Sequence, residues 1–297
     1  MQIGIIGLGK MGLNMAKRLL AGNHDVVGLD HHAEHRAELA AAGGRGAETL
    51  DELVGALSAP RTLWLMIPAG APTEETLSLL QSRLGRGDLV IEGGNTFYKD
   101  SIRRAETFAG LGIDYLDTGT SGGVWGLQVG YCLMVGGTEA AFRRAEPLFS
   151  ALAPPAGYRH VGPSGAGHFT KMVHNGIEYG LLQAYAEGFE LLNAAPFPLD
   201  LPGLAHLWNQ GSVIRSWLLE LSESALADPG FADIGDYVED SGEGRWTVAE
   251  AIERNVPAPV ITLSLLTRLR SRQSHAFSGR FIAALRREFG GHKVHSS

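Results

Sequence analysis

One cysteine in 297 residues, Cys132, leaves nothing from which to build a disulfide framework. It sits in the apolar run YCLMVGG, where a buried, inert thiol is expected, and a reducing cytoplasm suits such a chain. No apolar run approaches the ~20 residues that span a bilayer, and the start MQIGIIG carries no basic-then-apolar leader, so neither export nor membrane insertion is expected. Positive charge is short as well. With 25 Lys and Arg against 32 Asp and Glu, the formal net charge of −7 argues against a nucleic-acid partner held by bulk electrostatics. Internal repeats and low-complexity segments are also lacking.

Apolar residues make up 44% and charged residues 19%, the balance of a soluble globular protein, and the length suits two domains with a sizeable core. Such bases as there are gather late. From Arg254 onward, Arg268, Arg270, Arg272, Arg280, Arg286, Arg287 and Lys293 face a single acid, Glu288, a cluster fit to receive a small anion or to solvate helix faces.

The β-prone run Gln2 to Ile6 leads directly into Gly7-Leu8-Gly9-Lys10-Met11-Gly12 and then the helical pattern Leu13 to Leu20. Strand, glycine turn and helix in this order form a dinucleotide-binding fingerprint: the glycines bend the chain, admit a pyrophosphate and let helix pack on strand, while the helix N-terminus offers free amides. A second strand, Asp25 to Leu29, ends at Asp30, 18 residues past Gly12 and close to the ~20 expected of the acid that bonds a ribose 2′-hydroxyl. A carboxylate there favours NAD over NADP; as a turn cap it would do neither. His31, His32 and His35 follow without a second ligand cluster, so a solvated loop is expected and no metal.

Alternation continues with a helix near Thr49 to Leu57, strand Thr62 to Ile67, the loop Pro68-Ala69-Gly70, a helix opened by Thr73, strand Leu89 to Glu92 and the loop Gly93-Gly94-Asn95-Thr96. Another helix and strand Asp114 to Asp117 lead to Gly119-Thr120-Ser121-Gly122-Gly123, whose bare amides and hydroxyl suit an oxyanion. Strand Cys132 to Val135, a helix near Glu139 to Ala151 and a short strand near Tyr158 to Val161 complete a doubly wound, mainly parallel Rossmann sheet with ligands at its carboxyl ends. The pattern changes at Gly162-Pro163-Ser164. Beyond it helices are expected from Gly165, at Leu204 to Trp208, Val213 to Leu226, Thr247 to Arg254, Val260 to Leu269 and Phe281 to Phe289. The fold class is therefore α/β followed by all-α, with domains 1–163 and 164–297.

The segment GAGHFTKMVHNGIEYG, from Gly165, concentrates chemistry. At ~100° per residue, Lys171, Asn175 and Glu178 fall within about 60° of one another, flanked by His174 and Tyr179. Val173, Gly176, Ile177, Gly180, Ala184 and Gly188 on the other side invite close approach of a second helix, since each interior glycine costs roughly 0.5–1 kcal/mol against alanine. A buried helix lining a site is expected; the alternative is a surface helix with a solvated polar edge.

GLGKMG, EGGN, TSGG, GHFTKMVHNGIEYG and the C-terminal RREFGGH together make the whole chain resemble 6-phosphogluconate dehydrogenase, in a short form. The resemblance implies oxidative decarboxylation of 6-phosphogluconate to ribulose 5-phosphate with reduction of a nicotinamide cofactor. It implies Lys171 as base toward the 3-hydroxyl and then acid toward the ketone, and Glu178 as the acid that protonates carbon 1. Cofactor contacts fall on Gly7, Leu8, Gly9, Lys10, Met11, Gly12, Asp30, His31, Ile67, Pro68, Ala69 and Asn95, with Asn95 between cofactor and substrate. Substrate contacts fall on Ser121, Gly122, Gly123, His174, Asn175 and Tyr179, on Arg268 by a looser alignment, and on Arg286 and His292 of a tail that enters a neighbouring subunit of a homo-oligomer. Asp30-His31-His32 stands where many NADP-using relatives have Asn-Arg-Thr, and Pro68 where they have a lysine, which fits NAD with NADP as the weaker cofactor. DSGEGRWT lacks a substrate-contacting lysine, and Arg245 is a candidate replacement. Two other functions stay open: a β-hydroxyacid dehydrogenase acting on a small unphosphorylated acid, and a non-enzymatic cofactor-binding module.

Overall fold

The computed structural model describes residues 1–274, 276–290 and 293. The chain opens as β1 (Gln2–Ile6), α1 (Lys10–Ala21), β2 (Asp25–Leu29), α2 (Ala33–Ala41), β3 (Arg45–Ala47), α3 (Leu50–Gly55), β4 (Thr62–Leu65) and α4 (Ala71–Gln81). It continues through β5 (Leu89–Glu92), α5 (Tyr98–Gly110), β6 (Asp114–Ser121), α6 (Gly126–Val129), β7 (Cys132–Gly136), α7 (Glu139–Leu152) and β8 (Tyr158–Gly162). Helices follow: α8 (Ala166–Asn193), α9 (Leu201–Asn209), α10 (Trp217–Ala227), α11 (Glu243–Glu253), α12 (Pro259–Arg270) and α13 (Phe277–Gly290). An α/β sheet followed by helices is the expected fold class.

The eight strands form one sheet in the order β3-β2-β1-β4-β5-β6-β7-β8, parallel throughout except for the antiparallel pair β6 and β7. Its strands bury both faces, as βα crossovers require. Alternation along β4 sends Trp64 into one apolar cluster with Ile3, Ile5 and Ile91, and Leu63 and Leu65 into another with Ile6, Val27 and Val90. Order reverses between β1 and β4, the crevice where such sheets take nucleotides.

Several expectations are corrected. Helix α2 and the three-residue β3 were not anticipated, because His31, His32 and His35 mask the helical period and RGA is too short to alternate. Strand β4 stops at Leu65 rather than Ile67, ahead of Pro68, which donates no ladder hydrogen bond. Strand β6 runs on to Ser121 instead of ending at Asp117: β-branched Thr118 and Thr120 pair with Val135 and Leu133. Cys132, at the start of β7 opposite Ser121, is exposed and not buried.

By packing, the chain divides into two compact units, one ending at His174 and the next beginning at Asn175, a division that falls inside α8. The physical reason is that the first turns of α8 lie directly on the sheet: a Cβ at Gly167 would strike the backbone of Asp117 and lie 2.5 Å from the carbonyl oxygen of Met134. In the second unit, α9 and α10 pack around Phe189, Ala205 and Leu219.

Candidate active site

Gly7 follows β1 with φ +93°, a left-handed conformation that L side chains rarely adopt. A Cβ at Gly12 would collide with the carbonyl oxygen of Gly7, whereas one at Gly9 would meet nothing within 4 Å. Turn and helix contact are thus closed and the space over Gly9 is open, at the N-cap of α1, which no side chain caps among the described residues. Lys10 is exposed and Met11 half-buried beside it. Open amides at a helix N-terminus fit a pyrophosphate.

Asp30 closes the other side of this turn. Its carboxylate accepts from the Leu8 amide at 2.7 Å and from the His32 amide at 2.8 Å. Burial works to raise its pKa, but these amides and the imidazoles of His32 and His35 outweigh it and hold the carboxyl at about 2. Asp30 is therefore ionised, with the polarity that suits a ribose hydroxyl and repels a phosphate. His31 is exposed; His32 and His35, expected in a solvated loop, instead turn their Nδ1 atoms toward Asp30 at 3.0 and 3.2 Å.

At the end of β4, Pro68 accepts a hydrogen bond from the Thr73 hydroxyl at 2.8 Å, and a Cβ at Gly94 would lie 2.7 Å from the Ile67 carbonyl oxygen. The loops of Ile67-Pro68-Ala69 and of Asn95 are thereby held against each other. Asn95 is exposed, next to buried Thr96. Thr96 and Tyr115 both donate to Glu92, which is 1% exposed and bonded to Arg104 at 2.7 Å. Arg104 reaches Glu74 at 2.8 Å as well. Burial works to lower the pKa of Arg104, but Glu92 and Glu74 outweigh it and hold the guanidinium firmly protonated; burial first, and Glu92 second, push the Tyr115 phenol up, keeping it a donor.

Lys171 is half-buried on α8, close to the backbone of Gly119, where a Cβ would collide with its own. Asp117, wholly buried at the middle of β6, accepts from the Gly165 amide at 2.7 Å and the His168 amide at 2.9 Å. It caps the helix that carries Lys171, since such amides have no partner within the helix. His168 accepts or donates at Nδ1 to the Ser101 hydroxyl at 2.7 Å. His174 Nε2 lies 3.5 Å from the Ser121 hydroxyl, ahead of Gly122 and Gly123, both with positive φ. Lys171, Ser121 and His174 are thus gathered in the first unit.

In the second unit, Asn175 donates to buried Glu243 at 2.6 Å, and Glu178 is half-buried without a hydrogen-bond partner among the described residues. Tyr179 is 4% exposed; its hydroxyl is buried and unpartnered among the described residues, and the guanidinium of Arg268 lies 3.5 Å from its ring centroid. A buried hydroxyl without a partner calls for an explanation, and a guanidinium stacked on the same ring adds positive charge that suits an anion. Arg245 is engaged by Asp240 at 2.9 Å. Arg286 is exposed on α13, and His292 lies outside the described residues. Of the glycines expected to admit a helix, Gly176 meets Thr247 at 2.7 Å and Gly180 meets Val260 at 3.2 Å, each distance taken from a Cβ built there, while Gly188 meets nothing.

Residues 2–162 match the NAD binding domain of 6-phosphogluconate dehydrogenase, and residues 167–284 match that enzyme's C-terminal domain. The chain belongs to the 6-phosphogluconate dehydrogenase family. It is 46% identical to an NAD(+)-dependent, decarboxylating 6-phosphogluconate dehydrogenase of Haloferax volcanii over 99% of this chain and 98% of the other. With a longer NAD(+)-dependent enzyme of Bacillus subtilis it shares 35% identity over 90% of this chain and 60% of the other. Plasmodium falciparum 6-phosphogluconate dehydrogenase superposes with a TM-score of 0.85 at 28% identity, covering all of this chain and 66% of that one. A 3-hydroxyisobutyrate dehydrogenase of Salmonella typhimurium, TM-score 0.76 at 24% identity, shares the fold.

Within this family site, Asp117, His168, Ser101 and the cluster of Glu92, Thr96, Arg104 and Tyr115 were not anticipated from sequence. Acids at the ends of the expected strands, Glu92 and Asp117, were the available signal: a carboxylate that deep in a β-run must have partners.

Proposed function

We propose that this chain oxidises 6-phosphogluconate with NAD in preference to NADP, using Lys171 and Glu178 at successive steps. Membership of the family makes the reaction oxidative decarboxylation to ribulose 5-phosphate and carbon dioxide with reduction of NAD(P). The observation that carries the substrate is Tyr179, whose hydroxyl is buried and unpartnered among the described residues and whose ring lies under the Arg268 guanidinium, a cation suited to a phosphate. The observation that carries the cofactor preference is the ionised Asp30 at the edge of the glycine turn, repelling a 2′-phosphate.

The turn of Gly7, Leu8, Gly9, Lys10, Met11 and Gly12, with Asp30, His31, Ile67, Pro68, Ala69 and Asn95, would hold the dinucleotide in domain 1–163. Bound there, the nicotinamide would supply the hydride acceptor for oxidation at carbon 3. Lys171 takes the proton of the 3-hydroxyl, then returns it to polarise the ketone as the carboxylate leaves as carbon dioxide. Glu178 protonates carbon 1 of the enediol. Ser121, Gly122, Gly123, His174 and Asn175 orient carboxylate and hydroxyls, and Tyr179 and Arg268 take the phosphate. Arg286 and His292, from domain 164–297 of a second copy, complete the phosphate site. A homo-oligomer is supported by the apolar side chains that α8, α12 and α13 leave exposed, among them Leu191, Val260, Leu263, Phe281 and Leu285.

The test is turnover of 6-phosphogluconate with NAD and with NADP, following reduced cofactor and carbon dioxide. NAD should give the higher kcat/KM, and Asp30→Ala should cut the NAD-to-NADP ratio at least about tenfold, equivalent to ~1.4 kcal/mol. Equal use of NADP, or an unchanged ratio in the variant, refutes the preference. For the tail, Lys171→Ala is unfolded and reassembled with Arg286→Ala/His292→Ala; recovered activity supports sharing in trans, and inactive mixed oligomers exclude it.

A further inference from the structure

We propose that Asp30, His32 and His35 form a binding site for a divalent transition-metal ion of the zinc class, and that this ion competes with the dinucleotide for Asp30. The three residues surround the β2–α2 junction: Asp30 follows the strand, His32 is the N-cap of α2 and His35 stands one turn on, on the same side of the helix. One ligand atom from each lies within 4.8 Å of the other two. Asp30 Oδ1 is 3.0 Å from His32 Nδ1 and 3.2 Å from His35 Nδ1. In a tetrahedral site with metal–ligand bonds of about 2.0–2.1 Å, ligand atoms stand about 3.3 Å apart, so these separations need little adjustment.

Hydrogen bonding alone leaves the cluster incomplete. Oδ1 already accepts the His32 amide at 2.8 Å and the His32 ring at 3.0 Å, and an oxygen has two lone pairs to offer. His35 Nδ1 is buried, and its one polar neighbour among the described residues is that same oxygen, at 3.2 Å and without the geometry of a full hydrogen bond. A cation between them would take a lone pair from each ring and from the carboxylate. Two imidazoles and one carboxylate are a donor set for zinc-like ions rather than for magnesium or calcium. The neighbouring guanidinium of Arg36 does not block the site, since it is bonded to the Asp30 carbonyl oxygen at 2.8 Å and paired with Glu48 at 3.1 Å. His32 is 65% exposed on its side chain, which leaves solvent a path and the ion an open fourth position.

Competition rests on the reading that Asp30 accepts from the cofactor's ribose, whereas metal binding does not. The experiment separates them. Tag-free full-length protein, stripped with a chelator, is titrated with Zn²⁺ by calorimetry and with Co²⁺ by visible absorption, beside His32→Asn/His35→Asn. One ion per chain is expected, with affinity falling at least about 100-fold in the variant. In a second arm NAD binding is measured against increasing Zn²⁺; the apparent Kd should rise in proportion to Zn²⁺ in the native chain and stay flat in the variant. No saturable binding, or equal binding by the variant, overturns the site. Zn²⁺ binding that leaves the Kd for NAD untouched keeps the site and overturns the competition, and with it the ribose role of Asp30.

Discussion

Replacing Asp117 should disable Lys171 without touching it. Both oxygens of this buried carboxylate are spent on the start of α8, at 2.7 Å to the Gly165 amide and 2.9 Å to the His168 amide. Hydrogen bonds to a charged group are worth ~1.5–3 kcal/mol each, and a carboxylate at a helix N-terminus gains up to ~2 kcal/mol more from the dipole. These terms overlap, so Asp117→Ala, which strands two buried amides, should cost about 3–5 kcal/mol, a large share of the ~5–15 kcal/mol of an ordinary domain. Asp117→Asn keeps one acceptor and turns an NH₂ toward an amide donor, for a loss of about 2–3 kcal/mol. The glycines make this loss catalytic. Gly119 packs under the Cβ of Lys171, and Gly167 lies against the Asp117 and Met134 backbones, so the helix start cannot shift without carrying the lysine with it. A displacement of about 1 Å costs on the order of 10²-fold in rate. The assay pairs urea unfolding with kcat for 6-phosphogluconate, and adds the Kd for NAD as the control. Asp117→Asn should lower the unfolding midpoint and reduce kcat by at least about tenfold, with the NAD Kd within about twofold of native. An Asn variant with native midpoint and native kcat would refute the reasoning.

Lys171→Met should lose hydride transfer and Glu178→Gln the final protonation, each by about 10²–10⁴-fold, with NAD binding retained; single-turnover reduction of NAD separates the two steps. Arg104→Met, leaving Glu92 charged and buried, should cost about 3–5 kcal/mol, while Glu92→Gln/Arg104→Met should be distinctly milder; a double-mutant cycle in urea reads the difference. Asp30, held at about 2 against an ordinary 3.8, binds a proton less readily folded than unfolded. Its contribution of about 2 kcal/mol is therefore full above about pH 4 and lost as pH falls toward 2, so Asp30→Asn should flatten that acid limb in a stability–pH titration. Gly176→Ala, whose new methyl would stand 2.7 Å from Thr247, should destabilise the second unit by about 1–3 kcal/mol on urea unfolding.

The parallel strands were legible because each is a short apolar run between turn residues. Ile3, Ile5 and Ile6, like Leu63, Trp64 and Leu65, read as strands buried on both faces, and they are. The glycine turn was legible for a related reason, in that Gly7 and Gly12 have no other residue to stand in for them. Helix α2 was not, since His31 and His32 just ahead of it and His35 in its first turn obscure any apolar period, and only Leu39 is buried along it. Ser121 was placed correctly in the chain and misread as loop: its strand is stabilised by pairing with β7, a non-local contact with no local signature.

Polar partners were hidden in the same way, and more completely. The stripe Lys171, Asn175 and Glu178 follows from helical spacing alone, but what holds it follows from distance in space: Asp117 is 48 residues from the Gly165 amide it accepts, and Glu243 is 68 from Asn175. A buried carboxylate is costly unless such partners exist, so the sequence carries the requirement without the answer. Asp117 ends a predicted strand and must be satisfied by something; since the something is the helix bearing Lys171, the proposed base, Asp117 would act as a positioning residue. Loss of the carboxylate should then change the rate more than the affinity for cofactor, a split that a merely stabilising acid would not produce.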